Sequence, residues 1–126
     1  MKVLLINPYT DSEATAGRYK RFLSPMPPIS LAYVAAALDR AGIAVSVYDD
    51  YIYGGNRDTL LGEIKKNAPD IIGLSCVTPT AARTYEIAAD LRKEFPQVRI
   101  VMGNLHPSVF CREIITEGLA DAIVIG

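Results

Sequence analysis

What most constrains this chain is a repeated switch of hydrophobic period. Apolar, β-rich runs at residues 2–6, 44–48, 70–76, 98–102 and 121–125 alternate with segments whose apolar residues recur at helical spacing. Leu31, Val34, Ala35 and Leu38 stand at i, i+3, i+4 and i+7 after the first run. Leu60, Leu61 and Ile64 follow the second run, Ala81, Tyr85, Ala88 and Leu91 the third, and Phe110 and Ile114 the fourth. Punctuation agrees: Pro28, Pro79 and Pro107 suit first helical turns, Gly42 and Gly118 suit helix C-termini, and Pro69 and Pro96 stop helices before the next strand. The order is therefore βαβαβαβαβ. Strands separated by helices are joined by right-handed crossovers and lie parallel, which favours a doubly wound five-stranded sheet of order 2-1-3-4-5 over a Rossmann half of different order. The first, third and fifth runs are almost continuously apolar, as suits strands covered on both faces, while Ser46 and Arg99 interrupt the second and fourth.

Such a fold is α/β and flavodoxin-like (Rossmann-like), and the 126 residues, 50% hydrophobic and 21% charged, fit one compact domain of this kind. With 13 basic against 14 acidic side chains there is no basic field for a phosphate backbone or an anionic bilayer, so neither nucleic acid nor membrane is expected as a partner. The apolar run at residues 3–6 is too short for a secretory h-region or a membrane span, and a cytoplasmic location is the expectation. Cys76 and Cys111 form neither a disulfide framework nor a C-x-x-C metal motif, so the chain by itself is not expected to ligate an iron-sulfur cluster.

In a doubly wound sheet, ligands bind outside the carboxyl ends of the strands where the order reverses, here between strands 1 and 3. Three loops lie there: residues 8–27, unusually long for a βα connection; Ser75-Cys76-Val77-Thr78-Pro79; and Gly103-Asn104-Leu105-His106-Pro107. After strand 1, Asn7-Pro8-Tyr9-Thr10-Asp11 supplies neither the glycine fingerprint of a dinucleotide site nor a P-loop. A phosphoacceptor receiver would need acidic residues after strand 1 and an aspartate ending strand 3, where this chain has Asn7-Pro8 and Ser75-Cys76. An FMN site would want a hydroxyl-rich phosphate loop after strand 1, to which Thr10, Ser12 and Thr15 are a diffuse approximation.

Five segments in order carry a family resemblance. They are Lys2-Val3-Leu4-Leu5-Ile6-Asn7-Pro8; Pro27-Pro28-Ile29-Ser30-Leu31-Ala32-Tyr33-Val34-Ala35-Ala36-Ala37-Leu38; Gly73-Leu74-Ser75-Cys76-Val77-Thr78-Pro79-Thr80; His106-Pro107-Ser108; and Val124-Ile125-Gly126. Together they resemble the N-terminal domain of cobalamin-dependent radical SAM enzymes, the group that includes anaerobic magnesium-protoporphyrin monomethyl ester cyclases and class B methyltransferases. The resemblance implies that residues 1–126 are a cobalamin-binding domain of a longer protein. SAM and a 4Fe-4S cluster would be held by a following C-terminal radical SAM domain, where methyl transfer or cyclisation is completed. It further implies cobalamin across the strand C-termini with its nucleotide tail beside the sheet. The cofactor-binding residues would then be Asn7, Pro8, Gly73, Ser75, Cys76, Val77, Thr78, Pro79, Gly103, Asn104, Leu105 and His106, with no catalytic residue and no metal ligand among them. Small side chains at Gly73, Ser75 and Gly103 suit a tail running along the sheet, and the Ser75 and Thr78 hydroxyls suit its phosphate or ribose. The helix that opens near Pro79 would add backbone N–H groups and a positive dipole end.

Two departures stand out. The D-x-H-x-x-G motif that supplies a lower axial histidine in methionine synthase and mutase domains is absent, since Asp11-Ser12-Glu13-Ala14 holds no histidine. Cobalamin bound without a protein histidine on cobalt is then implied. The group's usual Gly-Gly-Pro-His-Pro after strand 4 is here Gly103-Asn104-Leu105-His106-Pro107, so a side chain stands where bare backbone is usual.

Each of these residues also has a structural reading. His106, the single histidine, is a cobalt ligand, a cofactor contact or a loop residue bonded near the fourth helix. Cys76 is a reactive thiol or a small buried hydrophobe, and Ser75 and Thr78 contact the cofactor or cap strand and helix ends. Arg18, Tyr19, Lys20 and Arg21 meet carboxylates or form a solvated loop, and Asp49-Asp50-Tyr51 binds metal or lies at the surface. Two functional alternatives remain beside the cobalamin module: a corrinoid-free interaction or docking module, and a flavodoxin-like FMN-binding protein. Finally, the helices leave one sheet face with the first helix alone, so outward residues within 71–74, 98–102 and 122–124 should form a bare apolar patch, and the chain reads as a truncated domain. The 8–27 loop should be mobile without ligand.

Overall fold

The computed structural model describes residues 1–10, 17–22 and 26–126. Five strands form one all-parallel sheet: β1 (Lys2–Asn7), β2 (Ala44–Asp49), β3 (Ile71–Ser75), β4 (Arg99–Gly103) and β5 (Ala122–Ile123). Their order, β2-β1-β3-β4-β5, is the doubly wound, flavodoxin-like order that the period switching predicts. Connecting them are α1 (Ile29–Arg40), α2 (Arg57–Asn67), α3 (Ala81–Glu94), α4 (Leu105–Val109) and α5 (Cys111–Thr116). Short 3-10 turns at Gly17–Phe22 and Thr78–Thr80 precede α1 and α3. Gly42 and Gly118 adopt φ of 76° and 71° just after α1 and α5, the left-handed backbone that glycine enters without a Cβ penalty.

The pleat sorts side chains onto two unequal faces. Leu4 and Ile6 of β1, Ile72 and Leu74 of β3, and Ile100 and Met102 of β4 point to one side, where they meet Leu60, Leu61 and Ile64 of α2, Ile87, Ala88 and Leu91 of α3 and Ile114 of α5. This is the main core. On the other side Val3 and Leu5 of β1 pack with Leu31 of α1, joined by half-buried Ala35, Leu38, Ile43, Val45 and Ile71. The same alternation carries Gly73, Val101 and Ala122 onto this second face. Beyond α1 it is incompletely covered: Val101 is half-buried, and Ala122 and Val124 are exposed. Of the outward residues expected to form a bare apolar patch, Ala122 and Val124 are exposed, while Ile71, Gly73 and Val101 are half-buried.

Three expectations need correction. The last strand was expected to be covered on both faces, but β5 is a two-residue edge strand with Val124 and Ile125 exposed beyond it. Its apolar run reflects the uncovered face rather than burial. The fourth strand was expected to be less buried because of Arg99, yet β4 is an inner strand with Ile100 and Met102 fully buried, and solvent reaches only its other face, where Arg99 is exposed and Val101 and Gly103 are half-buried. The helix expected around Phe110 and Ile114 is two helices, separated where Phe110 leaves helical geometry at φ −105° and ψ 27°. There its ring packs against His106, with centroids 4.5 Å apart. Mobility of the 8–27 loop concerns a segment of which residues 11–16 and 23–25 lie outside the described residues. Among the described residues no helix is long and apolar enough to cross a membrane.

Candidate functional site: a groove beside the first helix

The sheet ends are tied together before any ligand is considered. The Cys76 N–H donates to the Gly103 carbonyl (3.0 Å) and the His106 N–H to the Cys76 carbonyl (3.2 Å), so the loops after β3 and β4 are hydrogen-bonded to each other. The Thr10 hydroxyl donates to the Pro79 carbonyl at 2.9 Å and brings the start of the long loop against the same surface.

Next to this surface, on the face that only α1 covers, lies an open groove of about 400 Å³. One wall is Ser30, Leu31 and Val34 of α1, and its far end is closed by Val124 and Gly126. Leu5, Gly73, Ser75, Val101 and Gly103 form its floor, with Asn104 at the strand ends. The volume lies in the range of small-molecule sites, about 300–1,000 Å³. Two floor positions have no side chain, and this creates the depth. A Cβ on Gly103 would stand 3.6 Å from Val124 Cβ, ordinary contact, and one on Gly73 would come within 2.7 Å of the tip of Leu5. Larger side chains at either position would occupy the groove itself.

Of the twelve cofactor-binding residues expected from sequence, Gly73, Ser75, Gly103 and Asn104 line the groove. The other eight, Asn7, Pro8, Cys76, Val77, Thr78, Pro79, Leu105 and His106, do not. Asn7 turns toward β2 and donates to Asp49 Oδ1 at 3.0 Å, and Pro8 is buried. Thr78, Pro79 and Leu105 are exposed at the carboxyl edge of the sheet, while Val77 is half-buried and exchanges hydrogen bonds with Thr80. Cys76 is fully buried, and burial pushes its thiol pKa up against the opposing hydrogen bonds of Thr84 and Thr80. It packs as a small hydrophobe.

His106 is also a packed residue. It is 9% exposed, with Nδ1 at 3.3 Å from the Thr78 hydroxyl and Nε2 at 3.0 Å from the Tyr85 hydroxyl. Both ring nitrogens are engaged, so neither is presented for ligation, and the imidazole fixes the α4 loop over α3. Asp49 and Asp50 are likewise committed. Asp49 accepts from Asn7 and the Tyr51 N–H, while fully buried Asp50 accepts from Arg83 Nε at 2.9 Å and the Tyr9 N–H at 3.1 Å. Arg18 lies over the Tyr19 ring, 5.2 Å from its centroid. The side chains of Lys20 and Arg21 lie outside the described residues.

Sequence reasoning missed Leu5, Ser30, Leu31, Val34, Val101, Val124 and Gly126, and also Leu74, which borders the groove although its side chain is buried in the main core. It searched the loops, whereas the groove runs down the pleat. The usable signal was the two-residue alternation, which puts Gly73 and Val101 on the face opposite Ile72, Leu74, Ile100 and Met102.

Fold and groove together define a doubly wound α/β ligand-binding domain, with its cavity at the strand ends beside the first helix. The B12 binding domain profile matches residues 20–126, and the chain belongs to that family. It is 29% identical to the anaerobic magnesium-protoporphyrin IX monomethyl ester cyclase of Rubrivivax gelatinosus, aligning over all of this chain and 22% of the cyclase. It is 30% identical to an uncharacterized methyltransferase of Pyrococcus horikoshii, again over its whole length and 27% of that protein. The chain thus spans about a quarter of the curated relatives it matches. Among solved structures, the cobalamin-dependent S-adenosylmethionine radical enzyme OxsB with aqua-cobalamin bound superposes with a TM-score of 0.74 at 23% identity, over 97% of this chain and 16% of that one. The pseudo-receiver domain of CikA superposes at 0.61 with 16% identity, over 98% of this chain and 82% of that one. Both likenesses establish the fold.

Proposed function

We propose that this chain holds cobalamin, receives its nucleotide tail in the groove beside α1, and serves as the cofactor-holding unit of a radical SAM enzyme. The observation that carries this reading is the glycine-floored groove at the switch point, in a chain of the B12-binding family. Gly73 and Gly103 would let the tail lie against the sheet, Ser75 would offer a hydroxyl to its polar part, and Leu5, Leu31, Val34 and Val101 would enclose its apolar base. The exposed strand-end residues Thr78, Pro79 and Leu105 would face the corrin. Asn7, Cys76 and His106 hold the loops in register beneath it. With both His106 nitrogens engaged, cobalamin would bind without a protein imidazole on cobalt.

When bound, cobalamin supplies a cobalt centre able to carry a methyl group or exchange electrons. Nothing in the chain is assigned a catalytic step: its residues bind and orient. A following radical SAM domain would hold SAM and the 4Fe-4S cluster and complete methyl transfer or cyclisation. The roughly fourfold greater length of the relatives supports such a fused partner.

The test is incubation of the protein with hydroxocobalamin and, separately, with FMN, followed by gel filtration and a visible spectrum of the protein peak. A corrinoid spectrum with the protein and none from FMN is expected, and alanine at His106 should leave the cobalt bands unshifted. FMN retained in place of corrinoid, or neither retained, would overturn the reading in favour of a flavin carrier or a docking module.

A further inference from the structure

Asn104 combines two features that the cobalamin reading, on which this inference rests, does not require. Its backbone sits at φ 85° and ψ −169°, a region open essentially to glycine alone. Its side chain does not project into solvent but crosses from the end of β4 to the end of β3: Oδ1 accepts from the Leu105 N–H at 2.8 Å, and Nδ2 donates to Ser75 Oγ at 3.2 Å. Ser75 is paired in register with Gly103, so this bridge runs over the line between the two strands one residue beyond their last pair. Asn104 and Ser75 both line the groove. The backbone is held on the other side as well, where Ser108 Oγ donates to the Asn104 carbonyl at 2.9 Å and accepts from the Gly126 N–H at 3.2 Å. The strained conformation is thus kept in place from both sides, with an amide laid across the strand-end opening of the groove.

We propose that Asn104 is a specificity-determining residue, its carboxamide forming a bar to Ser75 that any ligand tail descending from the strand ends must displace. A corrinoid that carries a nucleotide tail meets the bar; one without a tail does not. The bar also lies on the oxygen of Ser75, the polar group best placed to bond such a tail, so a tail that reaches this hydroxyl must move the carboxamide aside. The chain therefore discriminates against tailed corrinoids relative to a protein with glycine at this position.

The test compares hydroxocobalamin with cobinamide, which has the corrin but no nucleotide, on the wild-type chain and on Asn104→Gly and Asn104→Ala. Breaking one hydrogen-bonded bridge corresponds to about a tenfold gain in affinity. Cobalamin should bind about tenfold more tightly to Asn104→Gly and to folded Asn104→Ala than to wild type, with cobinamide unchanged. Equal gains for both corrinoids, or no gain for cobalamin, would overturn the bar. So would a gain confined to Asn104→Gly when Asn104→Ala is folded, because that assigns the effect to backbone relief. Should alanine prevent folding, the cobalamin-to-cobinamide difference in Asn104→Gly decides alone. Failure of both corrinoids to bind every variant overturns the cobalamin reading and this inference with it, whereas binding without discrimination overturns this inference only.

Discussion

Asp50 has no exposed surface, yet it is an ionisable group that ties three parts of the chain together through Arg83 of α3 and the Tyr9 N–H after β1. Removing one partner of a buried ion pair leaves the other charged and desolvated, at a cost of about 3 kcal/mol or more. Arg83→Met should therefore lower unfolding stability by about 3 kcal/mol in a denaturant titration, and the double replacement Asp50→Leu with Arg83→Met should lose less. A loss under about 1 kcal/mol for the single variant would deny the pair that role. Asp121 sets an acid limit. Burial alone would raise its pKa, but the Ile100 N–H at 2.7 Å and Arg92 at 3.1 Å outweigh burial and hold it below the usual carboxylate value. A depressed carboxyl pKa contributes stability above the unfolded value and loses it as pH falls through the folded one. Stability should thus decline below about pH 4 and do so less in Asp121→Asn, as read by thermal melting across pH. At this scale the sequence was least legible. His106 and Asp50 look like ligands in a linear chain, and only the three-dimensional partners, Thr78 and Tyr85 for the imidazole and Arg83 for the carboxylate, show how their polar atoms are engaged.

Elements were far more legible, because the signals that make them are local. Helical spacing from Leu31 to Leu38 and from Ala81 to Leu91 located α1 and α3, and the five apolar runs located all five strands to within about two residues at most ends. Where reading failed, the cause was not local. The break at Phe110 depends on its ring meeting His106, and the exposure of β5 depends on which face the helices leave bare. One terminus carries an unexpected strain: Ala68 caps α2 with φ 45° and ψ 59°, a left-handed conformation that costs a residue with a Cβ about 1 kcal/mol relative to glycine. Ala68→Gly is expected to raise the melting temperature and stabilise the fold by about 1 kcal/mol, since the cap keeps its N–H bond to the Ile64 carbonyl. A destabilised Ala68→Gly would mean that the unfolded chain's extra freedom exceeds the strain relieved.

For the molecule as a whole, the strand order was readable because alternation of periods and crossover handedness leave few topologies, and the order in turn places the switch point. The groove was only half readable. Its four strand-end residues follow from topology, but its depth depends on how α1 packs on β1 through Leu31 and Leu5 while the rest of that face stays open. This asymmetry, a main core on one side and a small cluster beside a groove on the other, is the basis of the proposed binding. Gly103 tests it most directly, because a leucine there would fill the groove while its Cβ meets Val124 at an ordinary 3.6 Å. Hydroxocobalamin titrated into wild type and Gly103→Leu, each checked by circular dichroism, should bind the wild type and lose at least about a hundredfold in affinity in the variant, the equivalent of about 2.7 kcal/mol. Equal affinity in a folded Gly103→Leu protein would contradict the claim that the groove beside α1 receives the tail.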